Sequence, residues 1–187
     1  MFFKKKEVMN KVKQEIGDII DLLNSTTLCF TGHRSQKLPW GFNENDERCL
    51  IMKDKLKKQI ELAIKRGYDT FITGMALGFD MICAEMVLEL KNKYPYIRLI
   101  GALPCKNQDC KWPPKQQERY RNLLKQLDAI RCVNDEYTSP ECMLERNRYM
   151  INNSSIVIAL FNGKPGGTKK TIEYAKEQGK EIIIIEP

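Results

Sequence analysis

The stretch from Ser155 to Ile185 constrains the fold more than any other part of this chain. Ser155-Ile156-Val157-Ile158-Ala159-Leu160-Phe161 is a short, continuous apolar run bounded by turn residues. That is the pattern of a strand buried on both faces. It breaks into Asn162-Gly163-Lys164-Pro165-Gly166-Gly167-Thr168, and a helical segment (Thr171 to Gln178) leads to a second apolar strand, Glu181 to Ile185. A strand that ends in a glycine-rich turn and opens a helix is how α/β folds make an anion site. Glycine lets the ligand approach the backbone, and the first free N–H groups of the helix point at it with the helix dipole behind them. Taken alone, Pro165-Gly166-Gly167 is equally well a tight turn.

The rest of the chain repeats the alternation. Residues 4–23 place Val8, Val12, Ile16, Ile19, Ile20 and Leu23 at helical spacing, an appended amphipathic helix that packs on the domain or on a second chain. Residues 1–25 form this appendage and 26–187 a single domain. Thr27 to Thr31 is the first strand, ending at Gly32-His33-Arg34, and a helix over about 46–66 carries Leu50, Leu56, Ile60, Ala63 and Ile64. Asp69 to Thr73 is the second strand; Gly74 to Asp80 leads from it into a helix over 81–91 with Ile82, Met86, Val87 and Leu90 inward. Strands at 97–103 and 129–133, with helices at about 114–127 and 140–152, complete six strands alternating with five helices. Such alternation predicts a Rossmann-like, three-layer α/β sandwich with a mostly parallel sheet and right-handed crossovers, plus the extra N-terminal helix. Ligands then sit at the carboxyl ends of the strands, near the switch point. Three of those ends carry glycine.

Composition narrows the class. No apolar run approaches the roughly 20 residues of a membrane span, and Met1-Phe2-Phe3-Lys4-Lys5-Lys6 has no apolar h-region after it, so neither a membrane span nor a signal peptide is expected. Seven cysteines, with no Cys-x-x-Cys, fit a reduced cytosolic protein. With one histidine, no metal site is expected. The net charge of +7 invites a nucleic-acid reading, yet the lysines are spread over several helix faces. No aromatic ladder is interleaved with them to stack bases, which argues against a nucleic-acid partner.

Gly32, Gly74, Gly78, Gly166 and Gly167 thus read as a cradle of backbone donors, with Met75 and Thr168 in the same turns. Arg34 offers a bidentate contact to an anion. His33 is either a loop histidine bonded to backbone or an acid/base group. Asp80 is either a helix cap or a ligand contact. Arg146 and Asn147, with Arg148 beside them, are either surface charge or part of the site. Neither the Walker lysine motif nor Gly-x-Gly-x-x-Gly occurs, which removes the ordinary NTPase and dehydrogenase readings.

Several motifs in order resemble one family. They are Thr31-Gly32-His33-Arg34 with Lys37-Leu38, and Thr73-Gly74-Met75-Ala76-Leu77-Gly78-Phe79-Asp80 with Ala84-Glu85. Gln108, Trp112, Gln117 and Tyr120 follow, then Glu145-Arg146-Asn147-Arg148-Tyr149-Met150 and Gly163 with Gly166-Gly167-Thr168. Together they resemble the YpsA-like proteins of the SLOG superfamily over about residues 27–187. The resemblance implies a Rossmann-like domain, related to the LOG enzymes and to DprA, that binds or processes a nucleotide-derived ligand such as ADP-ribose or NAD. No further cofactor is implied. LOG enzymes carry Pro-Gly-Gly-x-Gly-Thr-x-x-Glu; here Thr171 stands where that glutamate is expected, and Glu173 is turned away from it. The expectation is therefore a cytosolic sensor domain, with its first helix as a dimerisation element. The alternatives are a phosphoribohydrolase or N-glycosidase using His33, Glu85 or Glu145, and a DprA-like binder of single-stranded DNA.

Overall fold

The structure is a computed structural model that describes residues 2–187, with side chains described from residue 9 onward. The expected place of Val8 on the apolar helix face lies outside those described side chains. Helix α1 (Phe2–Ser25) precedes five βα units and a last strand: β1 (Thr27–Gly32), α2 (Glu47–Lys65), β2 (Thr70–Thr73), α3 (Phe79–Lys91), β3 (Arg98–Leu103), α4 (Pro114–Leu124), β4 (Ala129–Cys132), α5 (Glu141–Asn152), β5 (Ile156–Leu160), α6 (Gly167–Glu177) and β6 (Glu181–Ile185).

All six strands are parallel, in the order β4-β3-β2-β1-β5-β6. The chain walks from β1 to β4 in one direction, then crosses back to β5 on the other side of β1. Right-handed crossovers put helices on opposite faces when the walk reverses. So α2, α3 and α4 cover one face, and α5 and α6 the other. The alternation of side chains along each strand follows: Leu28, Phe30, Ile156, Ile158 and Leu160 join the larger core under α2 and α3, whereas Cys29 and Val157 face Met150, Ile151 and Ala175 of α5 and α6. The fold is the expected Rossmann-like sandwich.

Two sequence readings change in detail. Leu50 was placed on the inward face of α2, but it is exposed. The buried stripe is instead Cys49, Met52, Leu56, Ile60, Ala63 and Ile64, with Asp46 capping the helix through its bond from the Arg48 N–H at 2.9 Å. Helix α6 begins at Gly167, four residues ahead of Thr171. Glycine has poor helix propensity, which hides a helix start from a propensity reading.

The β1 end and the β5 end lie beside one another, with Gly32 paired to Leu160. Their loops diverge to opposite faces, which opens a crevice at the switch point between β1 and β5.

Candidate ligand cleft at the carboxyl edge

A cleft of about 1000 Å³ occupies this edge. Of the residues singled out in the sequence, Gly32, His33, Arg34, Asp80, Arg146, Asn147, Gly166, Gly167 and Thr168 line it. Gly74, Met75, Gly78, Glu85 and Glu145 do not.

The glycines explain why. A Cβ at Gly32 would sit 2.5 Å from the Phe79 side chain, and one at Gly78 only 2.6 Å from the Ser35 backbone nitrogen and 2.8 Å from the His33 carbonyl. Gly78 also has φ +98°, and it is the N-cap of α3. A Cβ at Gly74 would meet the Arg146 guanidinium and, at 2.6 Å, Asp80 Oδ2. These three glycines are spent on close packing within the protein. Met75 is fully buried, with φ 54° and its carbonyl accepting from Gln108 Nε2 at 3.3 Å.

Gly166 and Gly167 are different. A Cβ at Gly167 meets nothing within 4 Å, and Gly166, at φ +150°, has only Lys37 Nζ near its Cβ position, at 3.6 Å. Gly166 caps α6, so the N–H groups of Gly167, Thr168 and Lys169 have no intrahelical acceptor. The helix therefore opens on the cleft with free donors, a positive dipole end and the Lys37 ammonium alongside. Exposed Arg34, Lys111 and Lys170 add to the rim. None of these four cations is in an ion pair among the described residues. The sole carboxylate among the described lining residues is Asp80.

The floor is held by Arg146, which reaches from α5 under the sheet edge. It is 5% exposed, and its Nη1 donates to the carbonyls of Gly74 and, at 3.3 Å, Ala102. Its Nε donates to Asn147 Oδ1 at 2.8 Å; Asn147 Nδ2 donates to Thr171 Oγ1 at 2.8 Å; and Thr171 Oγ1 donates to the Gly167 carbonyl at 2.9 Å. The floor and the first turn of α6 are one hydrogen-bonded unit. Arg148, by contrast, is exposed and paired with Glu141. Asp80 does not cap α3: its Oδ2 accepts from the Ala76 N–H at 3.3 Å and stands 3.9 Å from Arg146 Nη1. Burial raises the Asp80 carboxyl above its ordinary range, against the pull of Arg146, and burial lowers the Arg146 guanidinium.

His33 ties the two sides of the switch point together. Its Nε2 lies 2.8 Å from Asn162 Oδ1, and its Nδ1 3.5 Å from Thr168 Oγ1. Burial lowers its pKa below the ordinary imidazole value, although the bond to Asn162 opposes this. The ring is thus neutral at pH 7, with Nε2–H donating to Asn162. Because the unfolded chain binds the proton more readily, stability is complete above about pH 6.5 and declines as pH falls toward the folded-state value. We expect denaturation midpoints of native protein and His33→Gln to converge between pH 7.5 and 5.5. An unchanged difference between the two would contradict this account.

The carboxylates once set beside His33 as acid candidates have other employment. Glu85 receives a bidentate ion pair from Arg119, Nε to Oε1 at 2.7 Å and Nη2 to Oε2 at 2.5 Å, while Glu44 takes Nη1. Glu145 Oε2 accepts from Asn134 Nδ2 at 3.0 Å. Glu173 is exposed and faces Lys169 at 3.7 Å. Substituting Glu85→Gln is accordingly expected to leave ligand affinity within twofold of native in a titration. A tenfold loss would return Glu85 to the site.

The YpsA model, described as the "YspA SLOG family", matches residues 28–186. The chain belongs to this family. Among curated relatives, the uncharacterized SPbeta prophage-derived protein YoqJ of Bacillus subtilis is 39% identical over 140 residues, covering 68% of this chain and 82% of that protein. A UPF0398 protein of Brevibacillus brevis is 30% identical over 144 residues, 76% of each chain. Among solved structures, DNA processing protein A from Helicobacter pylori, studied for its single-stranded DNA binding mode, superposes with a TM-score of 0.58 at 18% identity. That match covers 88% of this chain and 67% of that one. DNA processing protein A (DprA) from Streptococcus pneumoniae gives 0.58 at 15% identity, and this chain spans 51% of its length. At these identities the likeness concerns the fold.

In this YpsA-family cleft, sequence reasoning found Arg34 but missed the rim lysines. Lys37 follows Arg34 by three residues in the same loop and Lys170 follows Thr168 by two in the first turn of α6, which was the available signal. Trp112 lines the cleft and stacks edge-on against buried Tyr120 at 5.2 Å, whereas Trp40 belongs to the core. Among the described residues there is no cluster able to hold a metal ion and no helix long and apolar enough to cross a membrane.

Proposed function

We propose that this domain binds a nucleotide-derived ligand, ADP-ribose, NAD or a related dinucleotide, and acts as a sensor or regulator. The observation that carries the reading is the open N-terminus of α6, facing a cleft of about 1000 Å³ whose rim cations have no ion pair among the described residues. A phosphate or pyrophosphate takes the free N–H groups of Gly167, Thr168 and Lys169, with Lys37 and Arg34 supplying charge. The volume suits a ligand of dinucleotide size. Trp112, Pro113, Tyr137, Pro140, Met143 and Leu144 give the far end an apolar and aromatic surface for a base.

Binding is favoured over turnover because Thr171 stands in the first turn of α6 in place of a glutamate, and its hydroxyl is committed to the Gly167 carbonyl and to Asn147. The neutral, doubly engaged His33 supports the same reading.

Arg34→Lys is expected to weaken binding by about 1–3 kcal/mol, since lysine cannot reproduce a two-pronged contact. An unchanged constant would return Arg34 to the solvated surface.

A second reading, single-stranded DNA, is supported by the DprA fold neighbours and by the cationic rim. Calorimetric titration with ADP-ribose, NAD and a short single strand at two salt concentrations separates the two. Tight, salt-tolerant binding of intact ADP-ribose or NAD supports the sensor. Binding of DNA alone, with log K falling by about 0.7 per phosphate contact for each tenfold rise in salt, supports the other.

A further inference from the structure

At the cleft floor, two charged groups are buried, close together and only partly used. Asp80 and Arg146 side chains are 7% and 6% exposed and approach no nearer than 3.9 Å, beyond hydrogen-bonding distance. Asp80 Oδ2 and Arg146 Nε and Nη1 have partners; Asp80 Oδ1 and Arg146 Nη2 have none among the described residues. Neither atom is sealed, for the sealed, unpartnered polar atoms among the described residues are Trp40 Nε1 and Asp109 Oδ2. Since both residues line the cleft, the unused acceptor and the unused donor are open to its contents.

An acceptor and a donor side by side restrict what binds there. An anion would meet the Asp80 carboxylate and a cation the Arg146 guanidinium. A neutral group that donates and accepts at adjacent atoms satisfies both. We propose that Asp80 and Arg146 recognise the vicinal diol of the ligand's adenosine ribose, one hydroxyl donating to Asp80 Oδ1 and its neighbour accepting from Arg146 Nη2. This rests on the nucleotide reading above and deepens it to ribonucleotides. The placement agrees: the His33 carbonyl receives the Phe79 N–H at 3.4 Å, one residue before Asp80, while the His33 ring contacts Thr168 in the first turn of α6. The floor is joined to the first turn of α6 through Asn147 and Thr171, which sets this pair beside the proposed phosphate position. Leaving either group unmatched costs heavily in a buried site, so the pair discriminates against a deoxy sugar.

The test compares ADP-ribose with its 2′-deoxyadenosine counterpart by calorimetry on the native protein. The expected result is at least tenfold weaker binding of the deoxy compound, with the gap shrinking below threefold in a folded Asp80→Asn protein. Equal affinities in the native protein, or an undiminished gap in Asp80→Asn, overturn the diol assignment while leaving the nucleotide reading intact. If neither compound binds, the nucleotide reading and the diol assignment both fall. The first comparison needs no variant, so a poorly folding Asp80→Asn does not shield the proposal.

A separate observation concerns α1. Met9, Val12, Ile16, Ile19 and Leu23 are spaced three and four apart, and all five are 44–62% exposed. That is a coiled-coil seam with no partner among the described residues. Charge along the helix is polarised: Lys11 and Lys13 lie toward its start, following the lysines at 4–6 in the sequence, and Glu15, Asp18 and Asp21 toward its end. An antiparallel copy places opposite charges together, whereas a parallel one opposes like charges. We infer that α1 pairs antiparallel with α1 of a second copy of this chain. Sedimentation of the full chain should show a concentration-dependent dimer that Ile16→Glu makes monomeric. A full chain that stays monomeric at high concentration, or an Ile16→Glu protein that still dimerises, overturns the inference.

Discussion

Replacing Gly74 by alanine is expected to destabilise the domain by about 3–5 kcal/mol, the cost of disrupting a buried, hydrogen-bonded charge. The methyl group would enter the space of the Arg146 guanidinium and lie 2.6 Å from Asp80 Oδ2. Arg146 cannot back away, because its Nη1 is held by the carbonyls of Gly74 and Ala102 and its Nε by Asn147. Displacing it strands two strand-end carbonyls and leaves a buried cation without partners, while adding overpacking strain of about 1–3 kcal/mol. In a domain of this size the midpoint of thermal unfolding should fall on the order of 10 °C. Denaturant unfolding of the variant checks the value. A change within about 0.5 kcal/mol, the ordinary range for surface positions, would mean that Arg146 is not fixed where the structure puts it.

The second large effect separates binding from folding. Gly167→Val should reduce affinity for ADP-ribose at least a hundredfold while leaving stability nearly unchanged. A Cβ at Gly167 meets no protein atom within 4 Å, its φ lies outside the left-handed region, and it sits in the first turn of α6, where a side chain is tolerated. The space that valine takes is the cleft, directly over the free N–H groups. Affinity retained within threefold in a folded Gly167→Val protein would remove the phosphate role from this turn. Gly166 is a poorer probe. Its φ of +150° makes any side chain strained, so lost binding there could reflect a distorted turn.

These two glycines also show what the sequence could and could not tell. Both stand at strand ends that converge on one edge, and that convergence was legible because alternating apolar runs dictate parallel βαβ units. Their roles were not legible. Whether a glycine serves a ligand or a neighbour depends on what approaches it. Phe79 at Gly32 and Arg146 at Gly74 come from other elements, Arg146 from 72 residues away. Arg146 itself, read as surface charge or site, proves buried because its acceptors are carbonyls of β3 and the turn after β2, which no local pattern reveals. Local periodicity did find α3, where Ile82, Met86, Val87 and Leu90 are all buried. It misplaced Leu50 because α2 presents its stripe from Cys49, not one residue later. The missing acid in α6 was visible as Thr171; its hydrogen bonds to Gly167 and Asn147 were not.

The central claim is that a phosphate of a nucleotide ligand sits on the N-terminus of α6. Backbone amide shifts during titration of the isotopically labelled full chain with ADP-ribose test it residue by residue. The account predicts saturable shifts concentrated at Gly167, Thr168 and Lys169, with smaller ones at His33 and Arg34. No shifts, or shifts confined to residues outside the cleft, would contradict it.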